Sequence, residues 1–278
     1  MIFEYLIIST ESTDEDEKFD ENFAIDESKM IEDIKNLLLS CDSSDEAKKR
    51  ALAVHNWAKN RIKEYWFSRM ALLKLLKRLF KNKSDKSNVI SSHLPLNFCD
   101  LNIENNRNLL KFKNLLTSIT HTYGMVVSGL ADENEDNILA FGLDIEKIDR
   151  RFSENTKRMF KNNFDEKKID LIKLWICKEA AFKALDPIIK SILCESKATF
   201  SSSFNSFNLK NIWIKTNSFS CYHFGIFVSD SFDKNTSPLG IIEISLIRKI
   251  NIRYFLAKAI LTKAISLKSI QDKISVLN

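Results

Sequence analysis

The chain has 278 residues, 44% of them hydrophobic, and a formal net charge of +5 at pH 7. That is enough apolar material for one large domain or two small ones with a buried core. No apolar run approaches the roughly 20 residues needed to span a bilayer, so no membrane span is expected, and the cysteines (Cys41, Cys99, Cys177, Cys194, Cys221) are scattered without a C-x-x-C pair, as in a reduced cytoplasmic protein with free thiols.

Residues 1–10 read as a first strand. They lack the basic head and small-residue cleavage site of a signal peptide. Residues 11–28 are acid-rich and read as a loop, and 30–39 are periodic enough for a helix. Ser43-Ser44-Asp45-Glu46 has the form of a helix start. Leu52, Trp57, Ile62, Trp66, Met70, Leu73 and Leu76 then recur at helical intervals, which predicts a long helix over 45–80 with room for one break. Its basic residues, among them Lys59, Arg61, Lys63, Arg69, Lys74 and Lys77, form either a solvated face or a docking surface for an acidic or phosphorylated partner.

Residues 82–92 read as a polar loop and 107–122 as loop and strand. A buried strand over 125–131, a turn at 132–137 and a strand over 138–146 predict a hairpin. Residues 152–184 read as mostly helical. Strands at 212–214, 222–228, 241–247 and 252–261 end an antiparallel sheet, followed by a polar tail or short helix at 265–278. No internal repeat is visible residue by residue. Strands and helices without βαβ alternation place the chain in the α+β class.

Three segments carry spacing that reads as chemistry. In Gly142-Leu143-Asp144-Ile145-Glu146 the acids alternate with an apolar residue. On a strand both carboxylates share a face, roughly 6–7 Å apart. In Trp175-Ile176-Cys177-Lys178-Glu179-Ala180-Ala181-Phe182-Lys183, Glu179 and Lys183 share a helix face. One strand and one helix thus bring three carboxylates and a lysine together, which suits a hard divalent cation beside a phosphate. Ser118-Ile119-Thr120-His121-Thr122 puts hydroxyl residues on both sides of a histidine, a pattern suited to phosphate binding. Cys177 has no histidine near it in sequence, which argues against a catalytic thiol.

Each segment alone has a bland reading: a solvated strand pattern for Asp144 and Glu146, and an i,i+4 pair worth about 0.3–0.5 kcal/mol for Glu179 and Lys183. Another class of function is a non-catalytic basic protein that binds nucleic acid or an acidic protein partner through the 45–80 helix. Trp57, Tyr65 and Trp66 fall at helical spacing with Leu and Met, so core packing accounts for them better, and nucleic acid is not the expected partner. No glycine-rich loop is visible, which counts against a nucleoside-triphosphate enzyme.

Taken in order, the three segments resemble the signature of the 4′-phosphopantetheinyl transferase superfamily: a Ser/Thr-His element, a G-x-D-x-E strand and a W/F-S-x-K-E-A-x-x-K helix. The resemblance is sharpest over 117–185. It is closest to the Sfp-type enzymes and, through Arg61-Ile62-Lys63-Glu64-Tyr65-Trp66-Phe67-Ser68-Arg69, to their EntD-like group. Ile176 stands where the family usually has serine, and Ser68 where the EntD-like group has glycine.

The resemblance implies transfer of the 4′-phosphopantetheine arm of coenzyme A to a serine of an apo acyl or peptidyl carrier protein. It implies Asp144, Glu146 and Glu179 as ligands of Mg²⁺, or of Mn²⁺ in its place. His121 and Thr120 match residues at the coenzyme A phosphates, Lys183 the pyrophosphate lysine, and Lys178 a second lysine near the nucleotide. Arg61 and Arg69 are candidates for the 3′-phosphate. Glu179 matches a group able to act as general base for the carrier serine, directly or through water; with Lys183 and His121 it makes up the expected catalytic set. The implied fold is two similar α/β halves, 1–137 and 138–264, related by a pseudo-twofold axis with the ligand cleft between them, then a tail at 265–278. The implied protein is a cytoplasmic monomer.

Overall fold

The computed structural model describes residues 3–9, 26–41, 45–84, 101, 103–104, 109–110, 115–122, 124–132, 137–195, 207–218, 220–226, 238–249 and 252–262. The acidic segment 11–25, the loop 85–92, most of the turn at 132–137 and the 265–278 tail lie outside these residues. The described chain is α+β. Strands β1 (Phe3–Ser9), β2 (Ile103–Glu104), β3 (Leu109–Leu110), β4 (Leu115–Thr122) and β5 (Met125–Asp132) form one sheet. Strands β6 (Ile138–Lys147), β7 (Ile212–Ser218), β8 (Cys221–Ile226), β9 (Gly240–Lys249) and β10 (Ile252–Thr262) form another. Helices α1 (Glu27–Cys41), α2 (Asp45–Ala53) and α3 (Lys59–Ser84) follow β1, and α4 (Glu154–Phe160) and α5 (Leu171–Glu195) follow β6.

Both sheets are antiparallel, and their strand orders are β1-β5-β4-β3-β2 and β6-β10-β9-β8-β7. The connectivity is the same twice over: a strand, then helices, then four strands of which the last lies beside the first. The repetition is one of topology, and it has no counterpart in residue-level similarity.

One compact unit gathers the second sheet with α4 and α5. The other gathers α1, α2, α3 and most of the first sheet, and the division crosses β4 after Ser118 and β5 after Leu130. In the helical unit, Asp26 accepts a hydrogen bond from the Ser28 amide at 2.9 Å, which starts α1 three residues before the apolar periodicity does. Met30, Ile34 and Leu37 bury one face of α1, and Asp33 accepts a 2.9 Å bond from the Trp66 indole of α3. The expected long helix has its break at a short 3-10 turn over Val54–Asn56, after which Trp57 is extended.

Two expectations fail. The hairpin joining 125–131 to 138–146 does not exist, because β5 pairs within the first sheet and β6 pairs with β10. The tight hairpin is β4–β5, where the link before Met125 contains Gly124 at φ 76°, a conformation that glycine adopts without strain. Pairing with β10 from Ile138 to Lys147 gives β6 a far longer ladder. The helix expected over 152–184 is interrupted between Phe160 and Leu171 and then continues past Ala184, through Pro187, to Glu195. Asn162 causes the interruption. Its side-chain oxygen accepts from the Phe164 and Asp165 amides, and its side-chain nitrogen donates to the Lys210 and Ile212 carbonyls.

Helix α5 covers one face of the second sheet. Ala180, Ala181, Ala184, Leu185 and Ile188 join Ile242, Ala257, Ala259 and Leu261 in one apolar cluster. Among the described residues no helix is long and apolar enough to cross a membrane.

Candidate active site

Close packing of α5 on β6 creates the site. A Cβ on Gly142 would stand 2.0 Å from the Ala180 carbonyl oxygen and 2.8 Å from the Ala184 amide nitrogen. The glycine therefore seats the helix backbone directly on the strand. Residues 142, 144 and 146 share a strand face, so the same approach brings Asp144 against the side chains of α5. Gly142→Ala should cost about 1–3 kcal/mol by overpacking, read from urea unfolding; an unchanged midpoint would show that this contact does not fix the helix.

The buried Asp144 carboxylate accepts from Lys183 Nζ at 2.8 Å, and the same ammonium donates to the Leu143 carbonyl at 3.1 Å. The Leu143 amide donates to Ser118 Oγ at 2.8 Å. The backbone of Leu143 is thus held on one side by the first motif and on the other by the third. Glu179 is mostly buried beside this pair. Desolvation raises its pKa, the Asp144 charge raises it further, and Lys183 and Arg150 pull the other way. Glu146, also buried, is ion-paired with Arg150 and accepts from the Lys147 amide at 3.0 Å. The Arg150 guanidinium lies 4.8 Å from the Trp175 ring centroid and 5.1 Å from that of Phe152.

In their ionised forms these five side chains carry three negative charges and two positive ones. All the candidate metal donors are carboxylate oxygens, the chemistry Mg²⁺ prefers, and the repulsion of Glu179 by Asp144 is what a cation would relieve. Among the described residues no three His, Cys, Asp or Glu side chains converge closely enough to form a metal cage; Lys183 and Arg150 are the cations at the carboxylates.

Lys178 has a different environment from its neighbour Glu179. It is fully buried, with Nζ 2.7 Å from Asp165 and 2.6 Å from the Phe160 carbonyl. Burial pulls its pKa down to about 8 despite the Asp165 charge. Its ammonium is used to tie α5 to the loop after α4. Cys177 is fully buried, and desolvation holds its thiol well above the ordinary range, as for an inert core cysteine.

Thr120, His121, Arg61 and Arg69 belong to the helical unit. Thr120 is buried. His121 is exposed, and its Nδ1 lies 3.0 Å from Glu64 of α3. Arg61 lies over the Trp57 ring at 4.4 Å. Arg69 lies over Tyr65 at 3.6 Å and donates to Ser68 Oγ at 2.9 Å.

Gly142 as the helix seat, Ser118 as the Leu143 acceptor, Arg150 as the Glu146 partner and Asp165 as the Lys178 partner are not singled out by sequence. Gly142 and Ser118 stand inside the quoted motifs. Arg150 lies four residues after Glu146 across a turn, and nothing local points to Asp165. Compared with known proteins, the chain matches no protein-family model and no curated protein.

Proposed function

We propose that this chain is an Sfp-type 4′-phosphopantetheinyl transferase that converts an apo acyl or peptidyl carrier protein to its holo form. The observation that carries the reading is the meeting of the three ordered motifs at Leu143: Ser118 on its amide, Lys183 on its carbonyl and on Asp144. The repeated strand order supports two similar halves; a pseudo-twofold axis relating them and a ligand cleft between them are part of the proposal.

On this reading Asp144, Glu146 and Glu179 would hold Mg²⁺, with Mn²⁺ as a substitute, in exchange for the cations Arg150 and Lys183 that pair with Glu146 and Asp144. Bound there, the ion would supply charge neutralisation for a pyrophosphate. Lys183 moves its ammonium from Asp144 toward pyrophosphate oxygens. Thr120 and His121 serve the coenzyme A phosphates, and Arg61 and Arg69 the 3′-phosphate. The carrier serine oxygen forms a bond to the phosphorus bearing the pantetheine arm, the bond from that phosphorus to adenosine 3′,5′-bisphosphate breaks, and the serine proton passes to Glu179 or through water to it. Lys178 has a structural role in place of nucleotide contact. The enzyme acts as a cytoplasmic monomer.

The test is incubation of purified protein with apo carrier, coenzyme A and Mg²⁺, followed by mass spectrometry of the carrier. The expected result is one phosphopantetheine per carrier. Failure on a panel of acyl and peptidyl carriers by folded protein sinks the reading. Retention on nucleic acid at moderate salt in its place would favour the basic-binder class.

A further inference from the structure

We propose that the open end of the second sheet, on the face that carries Asp144 and Glu146, is the docking surface for an acidic protein partner. Its charged contacts are Arg248 and Arg253, and its apolar contacts are Leu246 and Phe255. The identification of that partner as the apo carrier rests on the transferase reading; the surface itself rests on the sheet.

The register fixes the geometry. Glu146 lies opposite Phe255, and Phe255 opposite Leu246. The next row on the same face puts Arg253 opposite Arg248. Helix α5 covers the rows nearer Gly142 and stops short of these. Gly142 sits under Ala180 and Ala184, and Lys173 Nζ lies 5.4 Å from the Phe255 ring centroid. Two strand residues advance about 7 Å, which is four to five helical residues. The arginine row is therefore level with about residue 169, before the helix begins at Leu171. Leu246 is accordingly 48% exposed, Arg248 and Arg253 are exposed, and Phe255 is only partly covered.

Two arginines directly opposite each other on neighbouring strands repel, at a cost to the sheet. Neither has a carboxylate partner among the described residues. The nearby acids are engaged elsewhere, Asp170 with Lys173 at 3.7 Å and Asp149 with Lys147 at 3.3 Å. An unbalanced guanidinium pair next to an exposed leucine and a half-covered phenylalanine complements an acidic surface with an apolar spot. Because Glu146 shares a row with Phe255 and Leu246, a protein seated there presents its own side chain to the carboxylate cluster.

The experiment uses the full-length chain and an apo acyl carrier protein as probe, with transfer followed against carrier concentration and binding followed separately by anisotropy of the labelled carrier. R248E/R253E should raise the carrier KM at least about tenfold and weaken binding equally, with kcat and the coenzyme A KM within about twofold. R248E alone places an acid opposite Arg253, so its melting temperature should hold or rise while carrier binding still falls; a merely structural role would move the two together. Transfer by wild type with an unchanged carrier KM in folded variants overturns the docking surface and leaves the transferase. Arginine-dependent binding without transfer across a panel of acyl and peptidyl carriers overturns the transferase and leaves the surface. No binding of any carrier on that panel by wild type overturns the surface.

Discussion

On the transferase reading, Asp144→Asn and Glu179→Gln should each lower phosphopantetheine transfer by at least about 10²–10³-fold, the range seen when one preorganised electrostatic group is removed, without unfolding the chain. Both substitutions keep the shape of the side chain, and the amide that replaces the Asp144 carboxylate retains an oxygen for Lys183. What each removes is charge at the cluster. In metal-free buffer the two variants should differ in a second way. Glu179 has a raised pKa, so the folded protein holds its proton to higher pH than the unfolded chain does, and stability falls as pH rises through that interval. Glu179→Gln abolishes this loss and should be at least as stable as wild type at pH 7. Asp144→Asn removes the like charge that helps raise Glu179, so the Glu179 carboxyl should titrate lower, which carbon NMR of the side chain reads directly. Adding Mg²⁺ should raise the melting temperature of wild type by mass action and leave both variants nearly unmoved. Full transfer activity in Asp144→Asn would remove the metal assignment, and an inactive variant with a wild-type Mg²⁺ shift would show that its carboxylate acts other than by holding the metal.

The parts of this fold legible in the sequence are those governed by short periodic signals. The helix after Asp45 is visible because Ile62, Trp66 and Leu76 bury one stripe, and β6 is visible as an apolar run. The partner of β6 is not, since pairing with β10 joins residues more than a hundred positions apart and the intervening turn chemistry imitates a hairpin. The break between α4 and α5 is hidden because Asn162 looks like any polar helix residue until its amide meets the Lys210 and Ile212 carbonyls. At the site, spacing suffices to put Asp144 and Glu146 on one strand face and Glu179 and Lys183 on one helix face. The contact between the two faces depends on the missing Cβ of Gly142 and on the Leu143 hydrogen bonds, which are tertiary facts. The same limit explains Lys178. A motif lysine beside Glu179 reads as a ligand group, yet one position along a helix turns a side chain by about 100°, and Lys178 points into the core at Asp165.

That buried pair carries the largest expected stability effect. Lys178→Met should cost about 3–5 kcal/mol, because it leaves the nearly buried Asp165 carboxylate without its cation. Asp165 still accepts the Asn162 amide at 3.0 Å and the Ile214 amide at 3.2 Å, so it cannot simply turn to solvent. Adding Asp165→Asn to Lys178→Met should recover most of the loss, since the amide oxygen can keep one of those bonds with no charge to bury. The pH response has a definite sign. Burial raises Asp165 and lowers Lys178 to about 8, so the pair is less favourable at neutral pH than its Coulomb attraction suggests. For Lys178 the unfolded chain, with its lysine near the ordinary value of 10.5, binds more protons between about pH 8 and 10.5. Wild-type stability therefore gains from this residue as pH rises through that window, and the double variant lacks the gain. Urea unfolding of wild type, single and double variants at pH 7 and 9.5 separates the terms. A single variant as stable as the double at pH 7 would show that Asp165 is solvated or protonated at no cost, and that Lys178 is not what joins α5 to the loop after α4.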